Sequence, residues 1–186
     1  AAGFDAHLIH ECTSSNDLLL ADARTESSAV HRRLYVAHSQ EQGRGRQGKS
    51  WQSRLGECLM FSLGWTFDKP QAELGALALV CALACQRALR QQGLAVQIKW
   101  PNDLVVGNDK LGGILIETVP HKNKIKAIIG VGLNVYADEF SNIDKDYTSI
   151  FETQPEGFKR NDLAVQLINN IKKVCHEFND NNKKMS

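Results

Sequence analysis

The sequence predicts an α+β domain in which a mixed, largely antiparallel sheet is backed by helices. Short apolar runs of strand length follow one another at close spacing, which is typical of hairpins. Longer stretches with helical periodicity lie before, between and after these runs. Because the 186 residues contain no internal repeat and no low-complexity linker, we expect one domain covering residues 1–186.

Six apolar runs predict the strands. Turn-forming pairs such as Pro101-Asn102 and Gly107-Asn108 separate the later runs, so we expect hairpins there. Between the first two runs, residues 39–57 are polar and rich in glycine, which predicts a long functional loop. The predicted strands are residues 34–38, 58–65, 96–100, 104–106, 114–118 and 125–131.

Three helices are predicted. Ser14 or Ser15 can cap a short helix that ends near residue 23, because a serine oxygen accepts one of the free amide hydrogens at a helix start. Residues 72–92 follow Pro70, end before a glycine and carry apolar side chains on nearly every face, which predicts a buried helix. Apolar residues then recur at helical spacing over 163–178, behind a possible cap at Asn161.

Charge and composition exclude several partners. The 22 Lys and Arg residues and 21 Asp and Glu residues leave a net charge of +1, so no global field attracts nucleic acid or an anionic membrane. Residues 1–10 lack a basic region followed by an apolar run, and we expect no apolar stretch to span a bilayer. These features predict a cytoplasmic protein with neither DNA nor membrane as a partner.

The cysteines predict neither disulfides nor zinc. They form an odd set without C-x-x-C spacing, so we expect reduced residues in the core. His7, His10 and Cys12 could form a metal cluster, but no fourth ligand accompanies them. The five cysteines are Cys12, Cys58, Cys81, Cys85 and Cys175.

The sequence Gly43-Arg44-Gly45-Arg46-Gln47-Gly48-Lys49-Ser50-Trp51 fits more than one nucleotide motif. It satisfies the P-loop formula, which would indicate an NTPase or kinase, although Gln40-Glu41-Gln42 separates it from the preceding strand. It also satisfies the dinucleotide fingerprint, with Asp68 as the ribose ligand, but Asp68 leads into a helix that begins with proline. The pattern alone identifies none of these functions.

Two arginines distinguish this glycine loop. Arg44 and Arg46 place permanent cations between glycines that let a ligand approach the backbone closely. Such arginines suit a doubly anionic ligand, and the alternative, which is the usual one for two arginines among polar residues, is a solvated basic loop.

Further motifs favour one family. Lys99-Trp100-Pro101-Asn102-Asp103, Lys110-Leu111-Gly112-Gly113-Ile114-Leu115-Ile116-Glu117 and Gly130-Val131-Gly132-Leu133-Asn134-Val135 follow the glycine loop, and Thr13-Ser14-Ser15-Asn16 precedes it. With this order and spacing, the chain resembles the catalytic domain of the biotin–protein ligase family from about residue 13 to residue 135. That family often has an N-terminal helix-turn-helix domain and usually a C-terminal β-barrel. We expect neither in 186 residues, and hence no operator binding.

The resemblance implies the activity of a biotin–[acetyl-CoA-carboxylase] ligase. Such an enzyme uses ATP with Mg²⁺ to form biotinyl-5'-adenylate and transfers biotin to a lysine of a biotin carboxyl carrier protein of a carboxylase. A homodimer is possible through an exposed strand edge, from residues 125–131 or elsewhere.

The resemblance also implies roles for individual residues. The implied biotin-binding residues are Ser14, Ser15, Asn16, Gln40, Arg44, Gly45, Arg46, Lys110 and Gly113. The implied ATP-binding residues are Arg44, Trp51, Lys99, Asn102, Asp103 and Asn134. Arg44, Arg46 and Lys110 would be the catalytic residues, and Asp103 is the candidate for binding Mg²⁺.

Several residues have an ordinary structural alternative. Asp103 could bond the turn after Pro101, Trp51 could anchor its loop on the core, and Lys110 could be a hairpin lysine. Trp100 is expected in the core, since it follows an apolar strand. The rival functions are a lipoate or octanoate ligase, a non-catalytic biotin sensor and a P-loop kinase.

Overall fold

One mixed sheet organises the molecule. The computed structural model describes residues 3–25, 29–53, 55–136, 146–153 and 157–180. Within these residues seven strands form a sheet in the order β1-β2-β5-β9-β8-β7-β6, and β1 and β2 are its one parallel pair. The strands are β1 (Asp5–Cys12), β2 (Arg33–Gln40), β5 (Cys58–Phe67), β6 (Val96–Lys99), β7 (Asp103–Val106), β8 (Asp109–His121) and β9 (Lys124–Asn134). A separate two-stranded ribbon consists of β3 (Gly43–Arg44) and β4 (Ser50–Trp51).

The helices are α1 (Ser15–Arg24), α2 (Leu77–Gln91), α3 (Ile150–Thr153) and α4 (Arg160–Asp180). The predicted α+β class, with a largely antiparallel sheet and helices against it, is confirmed. So are the hairpins, because β6, β7, β8 and β9 pair antiparallel in succession.

The two faces of the sheet carry different helices. Alternate residues of a strand point to opposite faces. On β9, Ile128 packs with α1 residues such as Leu19, whereas Ala127 and Ile129 belong to the core shared with α2 and α4. The larger apolar core therefore lies on the face covered by α2 and α4. On the other face α1 covers only part of the sheet and leaves room for a cavity.

The second predicted helix begins differently from the prediction. Gln71–Ala76 form a 3-10 helix before α2, and Gly93 ends the helix with φ +89°, a conformation that favours glycine. Contrary to the sequence expectation, Gln71–Gln91 is long and apolar enough to cross a membrane. Leu77, Cys81, Cys85 and Leu89 of this segment are nonetheless fully buried in the core, where apolar side chains are expected.

Three expectations about single residues were wrong. Trp100 is 80% exposed rather than in the core, because β6 ends at Lys99 and the chain turns there. Asn161 lies inside α4, which begins one residue earlier. Ser14 precedes α1, but its side chain makes no capping hydrogen bond.

The strand β1 was not predicted, and it changes where the sheet ends. Residues 125–131 lie in β9, which is paired on both sides, so this segment offers no free edge. Among the described residues the outer strands of the sheet are β1 and β6.

All five cysteines are free thiols, and every one except Cys12 is buried, in line with the expected reduced core.

Candidate active site

A cavity of about 270 Å³ opens on the α1 face of the sheet. Its walls come from the start of α1, the glycine loop, the turn before β7, and strands β8 and β9. Most of the residues singled out from the sequence line it. These are Ser14, Ser15, Asn16, Gln40, Arg44, Gly45, Arg46, Trp51, Asn102, Asp103, Lys110 and Gly113.

Lys99 and Asn134 do not line this cavity. Lys99 is exposed at the end of β6. Asn134 is buried, and its Nδ2 donates to the carbonyl oxygens of Thr148 at 3.0 Å and Lys110 at 3.3 Å. Asn134 thus ties β9 to neighbouring backbone, and nucleotide contact by either residue stays a prediction.

Glycines form the floor of the cavity. Gly130 and Gly132 lie two residues apart on β9, on the same face of the sheet. A Cβ at Gly130 would lie 2.4 Å from Asn16 Oδ1, and one at Gly132 would lie 2.8 Å from the Trp51 ring. These glycines therefore let α1 and the glycine loop approach the sheet closely.

One end of the cavity is neutral and closely hydrogen-bonded. The Ser62 hydroxyl donates to Asn16 Oδ1 at 2.6 Å, and the Ser15 and Ser62 hydroxyl oxygens are 2.7 Å apart. The Ser15 amide donates to Gln40 Oε1 at 2.6 Å. Ser15, Asn16 and Ser62 are each no more than 4% exposed. We call Ser15, Asn16, Gln40 and Ser62 the neutral end.

The other end carries positive side chains, and we call Arg44, Arg46 and Lys110 the cationic end. Lys110 Nζ lies 2.8 Å from Asp103 Oδ1 and 5.9 Å from the centre of a Trp51 ring. An Arg46 guanidinium nitrogen lies 3.5 Å from Asn102 Oδ1. Arg44 and Arg46 are exposed and Lys110 is partly exposed, unlike the serines at the neutral end.

Arg44 is paired with carboxylates of the chain itself. Its guanidinium donates to both oxygens of Glu117, at 3.0 and 2.9 Å, and also to Asp17. Glu117 additionally accepts a hydrogen bond of 2.9 Å from Asn16 Nδ2. Glu117 therefore connects the two ends of the cavity, and an anion that binds Arg44 must compete with two carboxylates.

Asn102 and Asp103 are held by the turn and by β8. Asn102 Nδ2 donates to the Ile114 carbonyl oxygen at 2.6 Å, and the Ile114 amide donates back to the Asn102 carbonyl oxygen at 3.0 Å. Asp103 forms an ion pair with Lys110, which joins this turn to the cationic end. This turn is therefore pinned beside the cationic end.

Trp51 has the structural role considered from the sequence, and its contact with a nucleotide stays a prediction. It packs against Cys58 and Met60, which makes it an anchor for the loop. At the same time it lines the cavity, and its buried indole N–H meets no hydrogen-bond acceptor among the described residues. A half-buried ring next to Lys110 provides a surface for a flat ligand.

The local backbone excludes the two alternative nucleotide motifs. A P-loop or a dinucleotide fingerprint leads into a helix whose N-terminus faces the phosphates. Here the loop forms the β3–β4 ribbon around a short 3-10 turn, Arg46–Gly48, and continues to β5. Asp68 pairs with Lys124 and does not line the cavity.

Sequence reasoning missed Ser62 and Glu117 as site residues. Ser62 is fully buried in β5, where apolar side chains surround it in sequence, and such an isolated hydroxyl was the available signal. Glu117 was noted as part of a motif, but its contacts with Asn16 and Arg44 depend on register between distant segments.

A metal centre made of protein ligands is not found in the described part of the chain. No group of three or more His, Cys, Asp or Glu side chains is close enough to hold an ion among those residues. His7, His10 and Cys12 therefore form no such cluster.

The fold and the cavity together correspond to one family of enzymes. A sequence profile of the biotin/lipoate A/B protein ligase family matches residues 9–134, which include both ends of the cavity. The chain therefore belongs to this family.

The curated relatives are named as ligases. The chain is 33% identical over 147 residues to the bifunctional ligase/repressor BirA of Escherichia coli, covering 77% of this chain and 46% of the relative. It is 29% identical over 170 residues to biotin–[acetyl-CoA-carboxylase] ligase of Mycobacterium tuberculosis, covering 88% and 61%. The chain thus spans about half the length of several curated relatives that it matches.

Solved structures agree with this assignment. Biotin protein ligase from Aquifex aeolicus, in complex with biotin and ATP, superposes with a TM-score of 0.77 at 26% identity, covering 94% of this chain and 72% of that chain. The ligase from Leishmania major with biotinyl-5-AMP gives 0.74 at 27% identity, covering 95% and 76%.

Proposed function

We propose that the chain is an ATP-dependent biotin–[acetyl-CoA-carboxylase] ligase that forms biotinyl-5'-adenylate and transfers biotin to a lysine of a biotin carboxyl carrier protein. The observation that carries the proposal is the presence of a neutral, hydrogen-bonding end and a cationic end in one cavity. The two ends of biotin match these two ends, since its ring is polar and uncharged while its side chain ends in a carboxylate. The names of the relatives support the same activity.

The neutral end suits the ureido ring. Short hydroxyl and amide side chains such as Ser15 and Gln40 satisfy an uncharged polar ring through directed hydrogen bonds. A buried ionised group without a partner would be costly there. We infer that Ser14, Ser15, Asn16 and Gln40 contact the ring and that Gly113 leaves room beside it.

The cationic end suits the reacting anions. A carboxylate and an α-phosphate repel by roughly 4 kcal/mol per pair of unit charges near 4 Å at an effective dielectric of 20. Arg46 and Lys110 would reduce this repulsion, and the Gly45 backbone would let the phosphate approach. Arg44 would contribute once an anion replaces Glu117 or Asp17 as its partner.

The reaction needs no nucleophile from the protein. The biotin carboxylate oxygen attacks the α-phosphorus of ATP in line, the bond to the bridging oxygen breaks, and pyrophosphate leaves. A carrier lysine amine then attacks the acyl carbon of the mixed anhydride, an amide forms and AMP leaves. Positioning and electrostatic stabilisation would therefore supply most of the rate enhancement.

The nucleotide would lie over Trp51, with Asn102, Asp103, Lys99 and Asn134 as the other candidate contacts. Mg²⁺ would enter with ATP as part of the substrate, held mainly by phosphate oxygens and water. Asp103 is the candidate protein ligand, and its ion pair with Lys110 would then have to open.

The partners and location are also proposals. We infer that the carrier belongs to a carboxylase, that the protein acts in the cytoplasm, and that neither DNA nor a membrane is a partner of residues 1–186. A homodimer would have to use an edge other than β9, such as β6 or β1.

The test is exchange of labelled pyrophosphate into ATP, which measures adenylation without a carrier. We expect exchange that requires biotin and Mg²⁺ and that lipoate or octanoate does not replace. Absence of exchange with biotin would contradict the proposal. Exchange with lipoate or octanoate instead would assign the chain to the other branch of its family.

A further inference from the structure

Glu117 stands at one end of a continuous chain of hydrogen bonds that passes through Ser62 and leads to the wall of the cavity. The chain runs from Glu117 to Asn16, then to Ser62, and ends at the Ser15 hydroxyl. Arg44 donates to both carboxylate oxygens of Glu117. None of these links involves exposed serine or asparagine, because Ser15, Asn16 and Ser62 are buried.

The direction of each bond follows from the carboxylate. An ionised carboxylate only accepts hydrogen bonds, so the Asn16 amide must turn its NH₂ group toward Glu117 and its oxygen toward Ser62. The Ser62 hydroxyl has one hydrogen and donates it to Asn16 Oδ1. In the 2.7 Å contact between Ser62 and Ser15, the donor must therefore be Ser15.

The consequence appears at the cavity wall. Ser15 lines the cavity, and its only hydroxyl hydrogen is already directed at Ser62. The Ser15 oxygen can then offer the ligand lone pairs and no hydrogen. Gln40 is held beside Ser15, since its Nε2 donates one of its two hydrogens to Met60 Sδ at 2.9 Å and its Oε1 accepts from the Ser15 amide.

We propose that Glu117 and Ser62 are positioning residues that make Ser15 an obligatory hydrogen-bond acceptor, so that the cavity selects a ligand ring with an N–H donor at that point. This inference rests on the proposed function and specifies how its site recognises substrate. A ureido ring presents two N–H groups, whereas a dithiolane or alkyl chain presents none. The selection of biotin over lipoate or octanoate would thus originate partly in residues that act through the Ser15 hydroxyl.

The test uses biotin and two cyclic carbamate analogues, in each of which one ring N–H is replaced by a ring oxygen. Calorimetry measures their affinities for the whole chain. In the wild type we expect one carbamate to bind roughly 10- to 100-fold more weakly than biotin, because two acceptors would face each other. In Ser62→Ala the Ser15 hydrogen is released and can turn to that ring oxygen, so the preference should shrink to about 3-fold or less.

One control and a second pair of variants separate this effect from loss of structure. Ser39→Ala removes another buried serine, on β2 and outside the cavity, and should keep the wild-type preference. Glu117→Met removes the acceptor for Asn16 and should reduce the preference for biotin over the carbamate. Glu117→Gln restores an acceptor oxygen and should restore that preference. Because Glu117 is not in the apolar core, this second pair of variants decides the question if Ser62→Ala does not fold.

The outcomes distinguish the two proposals. If the wild type does not bind biotin, the proposed function fails and this inference fails with it. If the wild type binds biotin but Ser62→Ala and Glu117→Met keep the full preference against both carbamates, only the inference is overturned. Equal binding of biotin and both carbamates by the wild type would overturn it as well.

Discussion

The neutral end and the cationic end of the cavity differ in the structural elements that hold their side chains. Ser15 and Asn16 belong to α1 and Ser62 to β5, so regular secondary structure and mutual hydrogen bonds hold them in place. Arg44 and Arg46 are exposed and lie on or beside a two-stranded ribbon, and Arg44 is paired with carboxylates of the chain. The neutral end is thus prepared for its ligand, whereas the cationic end must exchange partners when an anion arrives.

This difference suggests a division of tasks. A preorganised, buried set of donors and acceptors discriminates strongly between ligands, because a mismatched ligand leaves a buried polar group unpaired. Partly exposed cations gain strength only when the ligand excludes water and replaces the internal counterions. Recognition of the ring should therefore depend on the neutral end, and the rate of adenylation on the cationic end.

The largest expected effect is at Lys110. Replacement by methionine should reduce the rate of adenylate formation by roughly 10²–10³-fold, because a positioned charge that stabilises the reacting phosphate is lost. Biotin affinity should change much less. Pyrophosphate exchange and calorimetry measure the two quantities, and Lys124→Met, at a surface lysine paired with Asp68, is the matched control. An equal loss in both quantities would contradict the division of tasks.

Two glycines on β9 permit a crossed test. In Gly130→Ala the new methyl group would displace Asn16, and in Gly132→Ala it would displace Trp51. We expect roughly 10-fold weaker biotin binding in the first variant and a similar rise of the KM for ATP in the second, since crowding at a well-packed contact costs about 1–3 kcal/mol. If both variants lose the same substrate, the two ends do not act separately.

A smaller effect is expected at Arg46. The Arg46→Gly variant should bind the adenylate more weakly. The intermediate should then dissociate and label lysines of other proteins several-fold more than in the wild type. Mass spectrometry of an added unrelated protein measures this labelling. Undiminished retention of the intermediate, with labelling confined to the carrier, would show that Arg46 does not hold it.

The smallest expected effect concerns Cys58, which lies beneath Trp51. Burial raises the pKa of the Cys58 thiol from 9.0 to about 12. The folded chain therefore holds this proton more tightly than the unfolded chain, so the contribution to stability is complete below about pH 9 and is lost between about pH 9 and 12. Alkylation near pH 9 should be slow at Cys58 in the folded chain and fast after unfolding in urea.

Bound ligands should change the rate of Cys58 alkylation. If the cationic end opens transiently, ATP and biotin together should slow Cys58 alkylation several-fold, because they hold Trp51 and its loop in place. Peptide mapping with Cys12, the half-exposed thiol, as an internal reference would detect the difference. Protection of Cys12 alone would place the change elsewhere.

Much of the fold could be predicted because its elements have strong local signals. The run at 58–65 and the periodicity over 163–178 correspond to β5 and α4, both of which contribute heavily to one core. The strand β1 was missed because it lies at an edge of the sheet. Most of its residues are exposed, so its sequence has no apolar pattern that predicts a strand. Trp100 was misplaced for a related reason, since sequence alone does not show at which residue a strand ends.

The site could be predicted only in part. Motifs indicated the cavity-lining residues, because they are continuous in sequence. The pairing of Arg44 with Glu117 and the link from Ser15 to Ser62 depend on contacts between residues far apart in the chain, which no local pattern encodes. The assignment of residues 1–186 to a single catalytic domain stays a prediction.

The central claim is that this cavity activates biotin as an adenylate. The most direct measurement is to incubate the chain with Mg²⁺-ATP and an equimolar mixture of biotin, lipoate and octanoate, and to identify the acyl adenylates by mass spectrometry. We predict biotinyl-5'-adenylate as the sole product above the enzyme-free background. An adenylate of lipoate or octanoate, or no adenylate at all, would contradict the account.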